Sequence, residues 1–244
     1  MDVLFQPVEE LDAWLTSLIE GAPLLFALAI AFVLGLRHAS DPDHLVAVSS
    51  LVAAEHGDVR AATRLGAWWG VGHALTLLLV GLPLIALKEQ LPAWLERAAE
   101  TGVGIVILVL AARVLVKWVR GDYRAGPHRH HERDHRHLRH GEDGVHHHRH
   151  VRSPRQAFGI GMLHGLAGTG AVVVLLIAAL PGRVEAAAAL AVFAPMSIFS
   201  MALFTSAFAW VLTRPVVAPL YRTVLVPALG AFGLVFGLWY AGIT

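Results

Sequence analysis

The chain has 244 residues, of which 56% are hydrophobic, 15% are charged and none is cysteine. Soluble domains carry about a quarter charged residues, whereas the apolar blocks here reach the ~20 residues that cross a bilayer, so a polytopic helical membrane protein is expected. A net charge of +1 gives no footprint for nucleic acid, and the lack of cysteine excludes disulfides and thiolate metal ligands.

Residues 1–22 contain Asp2, Glu9, Glu10, Asp12 and Glu20 and no Lys or Arg. A secretory signal begins with basic residues, so this segment is expected to be an extracytoplasmic lead-in and not a signal peptide. Six spans follow, near 23–54, 66–87, 102–119, 157–180, 186–212 and 223–243. Leu91–Glu100 reads as a short interfacial helix. The polar stretch 121–154 separates a first three-span half, 23–120, from a second, 155–244.

The first span contains the least expected chemistry. "GLRHASDPDHLVAV", residues 35–48, follows a run without charge from Gly21 to Leu36. As one helix, 23–54 would measure about 48 Å at ~1.5 Å per residue, too long to stand upright. Pro42 has no N–H for the His38 carbonyl and pushes Asp41 away from helical dihedrals. A half-helix, an irregular stretch across His38–His44 and a second half-helix are expected.

Backbone freed at membrane depth must be buried in protein or line a wet cavity, and intramembrane carboxylates mark partners and function. His38, Asp41, Asp43 and His44 supply two imidazoles and two carboxylates, a donor set suited to nickel, cobalt or zinc. Arg37 reads as their charge balance, since a guanidinium cannot bind a cation. The alternatives are a structural polar knot joining Arg37 to the aspartates, or a solvated turn at the membrane boundary. The apolar residues 45–54 that follow argue against the turn.

His73, in "WWGVGHALTLLLVG", sits among glycines that allow close helix approach. It reads either as a helix-to-helix hydrogen bonder or as a ligand joining the first motif. His164, in "GMLHGLAGTGAVVV", aligns with His38 when the halves are overlaid at an offset of 126. That overlay also matches Phe32, Gly35, Val46 and Val48 with Phe158, Gly161, Val172 and Val174. Three spans per half place the halves in opposite orientations, the inverted repeat of many transporters. His56, beside Glu55 and Asp58, reads as surface.

Lys and Arg set the direction. Arg60, Arg64, Arg214, Arg222 and the basic residues from Lys117 to Arg155 lie on one side, against Lys88, Arg97 and Arg183 on the other. Both termini are therefore expected outside and the long loop in the cytoplasm, in an inner or plasma membrane. In that loop "HRHHERDHRHLRHGEDGVHHHRH", residues 128–150, holds ten of the fifteen histidines: His128, His130, His131, His135, His137, His140, His146, His147, His148 and His150. Such a tract cannot bury a core and is expected to be disordered, binding metal through exchangeable imidazoles or simply enforcing topology. Acid weakens that binding as protons compete.

"RHASDPDH" resembles the signature of the nickel/cobalt transporter superfamily (NiCoT/NicO), an arginine followed by H-A-x-D-x-D-H. "WWGVGHALTLLLVG" is similar to that family's second motif. "GMLHGLAGTGA" is similar to the matching stretch of the short six-span branch that includes urease-associated nickel permeases. The resemblance implies an all-α integral membrane protein with His38, Asp41, Asp43 and His44 as the metal-selectivity motif and His73 as partner. It implies Ni2+ or Co2+ as cargo, no prosthetic group, and a cytoplasmic metallochaperone or nickel-enzyme assembly factors as recipients. Zn2+ stays open on donor chemistry. Larger members have eight spans and an acidic signature where this chain has "HGLAGTG", which offers His164 and Thr169 but no neighbouring carboxylate.

The leading reading is thus uptake of Ni2+ or Co2+ through a His/Asp site, the two halves rocking about it. Efflux by the same fold is one alternative, and a metal sensor or accessory membrane subunit another. An intramembrane metalloprotease would show H-E-x-x-H within a span, whereas the match at His131–His135 lies in the polar loop. An ATP-driven pump would show a nucleotide loop, which is absent.

Overall fold

The computed structural model describes residues 24–54, 58–120, 124–130, 133–139, 153–180, 182–212 and 217–242, with residues 10, 11, 14 and 214. The expectations for most of 1–22, for His56 and for the loop histidines at 131, 140, 146–148 and 150 lie outside these residues. In chain order the elements are α1 (Leu24–Arg37), a 3-10 turn (His38–Ser40), α2 (Pro42–Ala54), α3 (Val59–Leu87) and α4 (Ala93–Val119). Then come β1 (Arg124–His130), β2 (Arg133–Arg139), α5 (Pro154–Ala179), α6 (Arg183–Leu212), α7 (Val217–Leu220), a π turn (Tyr221–Leu225) and α8 (Val226–Tyr240).

Helix ends follow local chemistry. Asp58 caps α3 by accepting the Arg60 and Ala61 N–H groups at 2.9 and 3.1 Å, and Lys88 closes it in the left-handed region at φ 55°. Ser153 and Gln156 form a reciprocal capping box at the start of α5, with Pro154 where no N–H is needed. Two expectations need correction. The break in the first span is shorter than His38–His44: Asp41 is extended (ψ 144°) and Pro42 already opens α2, a first-turn position that tolerates proline. Leu91–Glu100 forms no separate interfacial helix, because α4 starts at Ala93 and continues unbroken to Val119. Within the long loop, β1 and β2 pair antiparallel, with His128 opposite His135 in register. Such a pair satisfies backbone groups without a buried core.

Apart from that ribbon the described elements are helical. α3, α4, α6 and the segment Thr223–Tyr240 are each long and apolar enough to cross a membrane. Leu25 is 82% exposed and Val184 79%, an outer surface that suits hydrocarbon better than water.

Helix α3 is central, packed along α5 and α6, while α1 lies on α6 and α4 on α8. One apolar cluster, including Ala27, Leu77, Leu176 and Leu190, fills the end where α1 begins. A second, including Val48, Leu65, Trp69 and Met201, fills the opposite end. Close approach of α5 to α3 depends on Gly161 and Gly165, whose missing side chains leave room for the carbonyls of Trp69 and His73. His164 sits between these two glycines and is thereby pressed against α3.

Gly161→Val should separate α3 from α5 and cost about 1–3 kcal/mol, the scale of overpacking a filled core. Gly159→Val, where an added Cβ meets nothing within 4 Å, should leave stability unchanged. Thermal unfolding of the two variants in detergent, followed by monodispersity, checks the difference.

Candidate metal site

The interruption between α1 and α2 brings its polar side chains to the middle of the bundle. The Asp41 N–H donates to the His38 carbonyl at 3.2 Å and the Ser40 hydroxyl to the Arg37 carbonyl at 2.6 Å. From α6, the Ser200 hydroxyl donates to the Gly35 carbonyl at 3.0 Å. Carbonyls near the break thus find partners inside the protein, as membrane depth requires. Asp41 and Asp43 lie beside the positive end of α2, which favours their negative charge.

Six side chains singled out from sequence converge here. His38 Nε2 lies 2.9 Å from His73 Nε2 on α3. His164 Nε2 on α5 donates to Asp43 Oδ2 at 2.7 Å, and His44 Nδ1 donates to Asp43 Oδ1 at 3.1 Å. The His38 ring is 4.4 Å from that of His44, which in turn is 4.4 Å from that of His164. Asp43, His44, His73 and His164 are buried and His38 nearly so. Two groups of ligand atoms lie within 4.8 Å of one another: His38, His44 and His73, and Asp43, His44 and His164.

Asp41 falls outside both groups. Its Oδ2 lies 3.1 Å from His38 Nδ1, and its Oδ1 lies 3.3 Å from Arg37 Nη2. Holding Nδ1–H leaves the His38 Nε2 lone pair facing inward, the carboxylate–imidazole arrangement that orients metal-binding histidines. Asp43 does the same to His44, whose Nε2 is buried with no hydrogen-bond partner, as is His73 Nδ1. Buried polar atoms left unpaired are rare and costly, and here they belong to imidazoles able to ligate a cation.

A cavity of about 220 Å³ opens from the cluster. Arg37, His38, Asp41, Asp43, His44 and His164 line its polar end, while Ala31, Leu34, Leu176 and Phe193 carry it toward the end of the bundle where α1 starts. Thr169, the other polar group of the second half, gives its hydroxyl to the Gly165 carbonyl at 2.6 Å. The carboxylate that the second half lacks near His164 comes instead from Asp43 of the first. His128, His130, His135 and His137 lie on the loop ribbon.

Two residues were missed. Trp69 packs its ring 5.3 Å from His44 and 5.6 Å from His164; standing four residues before His73, it shares that face of α3. Phe193, 5.1 Å from the His38 ring, had no signal in the sequence.

The sequence model of the NicO family, described as high-affinity nickel-transport protein, matches residues 24–222. The chain belongs to the NicO family. It is 28% identical to "Urease accessory protein UreH" of Bacillus sp. (strain TB-90) over 218 residues, covering 89% of this chain and 91% of that one. It is 33% identical over 124 residues to "High-affinity nickel transport protein" of Cupriavidus necator, covering 47% of this chain and 35% of that one. No solved structure matches significantly. NicO is a transporter family and not an enzyme family, and with its long apolar helices this NicO member is a membrane protein.

Asp41→Ala should release the His38 ring and lower Ni2+ affinity about 10–100-fold, the usual cost of removing a carboxylate that orients a ligating imidazole. Asp41→Asn, which keeps an acceptor for Nδ1–H, should lose less. Calorimetric Ni2+ titration of the purified variants checks both.

Proposed function

We propose that this protein takes up Ni2+, with Co2+ as a second substrate, through the buried His/Asp cluster. The carrying observation is the convergence of His38, Asp43, His44, His73 and His164 from α1–α2, α3 and α5 at the end of one cavity. A hydrated divalent ion sheds water only where other donors replace it. Imidazoles and a carboxylate do so for a borderline transition metal, and the carboxylate offsets part of its charge. Arg37 and Asp41 balance each other beside the site and hold His38 in orientation.

The architecture proposed is six spans in two inverted halves, α1–α2, α3 and α4 against α5, α6 and α8. Packing supports it. Exchanging the halves turns the α3–α5 contact into α6–α1, both extensive, and leaves α3–α6 and α4–α8 unchanged. The offset of 126 carries Gly35 to Gly161. Gly161 packs on the Trp69 carbonyl, and Gly35 on Phe193 and Met196, which flank the position equivalent to Trp69. Transport by rocking one half against the other follows from such symmetry.

The distribution of basic residues supports a cytoplasmic His-rich loop and termini outside. In that orientation the cavity faces outward and the tract 128–150 meets ions after passage. The resemblance to a protein named for urease assembly supports delivery of nickel to enzyme-assembly factors inside the cell.

The test is 63Ni2+ uptake into proteoliposomes. Wild type should carry Ni2+ inward, His38→Ala should abolish flux, and deletion of 128–150 should leave most of it. Normal flux through His38→Ala would make the cluster structural, and absent flux in wild type would favour an accessory subunit.

A further inference from the structure

We propose that the cluster contains two overlapping metal positions, one formed by Asp43, His44 and His164 and the other by His38, His44 and His73, and that one ion passes between them through His44. The proposal rests on the transport reading and resolves its site into two stations.

The two trios have only His44 in common, and within each the ligand atoms lie within 4.8 Å of one another. A neutral imidazole offers a single ligating lone pair, its other nitrogen carrying the proton. His44 therefore completes one trio at a time, and the two positions exclude each other.

Access and charge order them. Asp43, His44 and His164 all line the cavity. His38 of the second trio lines it too, but His73 is 0% exposed and does not, so only the Asp43 trio is complete at the cavity wall. An ion arriving by the cavity meets the Asp43 trio first. There a carboxylate compensates the loss of water, which in low dielectric counts heavily. The second trio has three neutral rings and no carboxylate, so it holds the same ion less firmly. Capture is thus assigned to the anionic station and release to the neutral one.

His44 is built for that exchange. With the ion on Nε2, the Nδ1–H donates to Asp43 Oδ1, the 3.1 Å contact of the structure, and the vacated carboxylate regains a partner. With the ion on the Asp43 side, the proton resides on Nε2. Transfer therefore moves the His44 proton from Nε2 to Nδ1 by way of cavity water. His164, which ligates through Nε2 with its proton on Nδ1, takes its own proton back onto Nε2 and donates again to Asp43. Each ring keeps one proton, with no net gain or loss. The His44 Nε2, which has no hydrogen-bond partner among the described residues, leaves the ring free to serve the second trio.

The experiment uses the full chain in detergent with each of the ten histidines of 128–150 changed by His→Gln, so that the loop does not titrate. Ni2+ calorimetry gives stoichiometry, and Co2+ visible absorption reports the donor set. One ion per chain is expected. His164→Ala and His73→Ala should each keep one ion but show different Co2+ spectra, all-imidazole in the first and imidazole with carboxylate in the second. His44→Ala should lose binding; where that variant fails to fold, the two spectra decide alone. Two ions per chain, identical spectra, or loss of binding in His73→Ala or His164→Ala as complete as in His44→Ala would overturn the two-station proposal while keeping a metal site. No binding by the parent chain would overturn the transport reading itself.

Discussion

Asp43 is the buried charge around which the centre of the molecule is arranged. Its two oxygens accept from His44 beside it and from His164 on α5, at 3.1 and 2.7 Å. A carboxylate in hydrocarbon is tolerated only with such partners. The contact also links the two halves of the chain, so burial of charge and assembly of the bundle are one constraint. Pro42 opens a helix immediately before Asp43 and so places its carboxylate at that helix's positive end. The glycines flanking His164 bring α5 close enough to complete the pair.

From this follows the division of labour along the bundle. Apolar residues fill both ends, and the buried histidine and aspartate side chains of the described residues gather where α1 is interrupted. Asp41 and Arg37 pair at its edge, and Asp41 also holds His38. Trp69 and Phe193 wall the imidazoles with aromatic rings. Such a site is walled by protein on most sides and opens to a cavity on one, which suits an ion that exchanges water for nitrogen and oxygen donors.

Much of this was legible in the sequence because the membrane makes polar residues conspicuous. His38, Asp41, Asp43, His44, His73 and His164 stand out against apolar neighbours, and the family signature was complete in "RHASDPDH". Helix positions were legible for the same reason. What sequence could not reveal was pairing across the bundle. His164 looked bereft of a carboxylate because its partner lies 121 positions away, and Phe193 is indistinguishable from any other apolar residue of α6. Pro42 was read as the centre of a wide break, whereas its fixed φ lets it begin the next helix. Asp41 looked equivalent to Asp43 by composition; only geometry separates an orienting carboxylate from one among the ligand atoms.

The most direct measurement of the central claim is nickel K-edge X-ray absorption on the Ni2+-loaded chain lacking 128–150, so that loop imidazoles do not contribute. Multiple scattering from imidazole rings with additional oxygen, with nickel loading itself lost in His44→Ala, is the predicted result. A shell of oxygen donors alone, unchanged by that substitution, would contradict the account and leave the buried cluster a structural feature of the bundle.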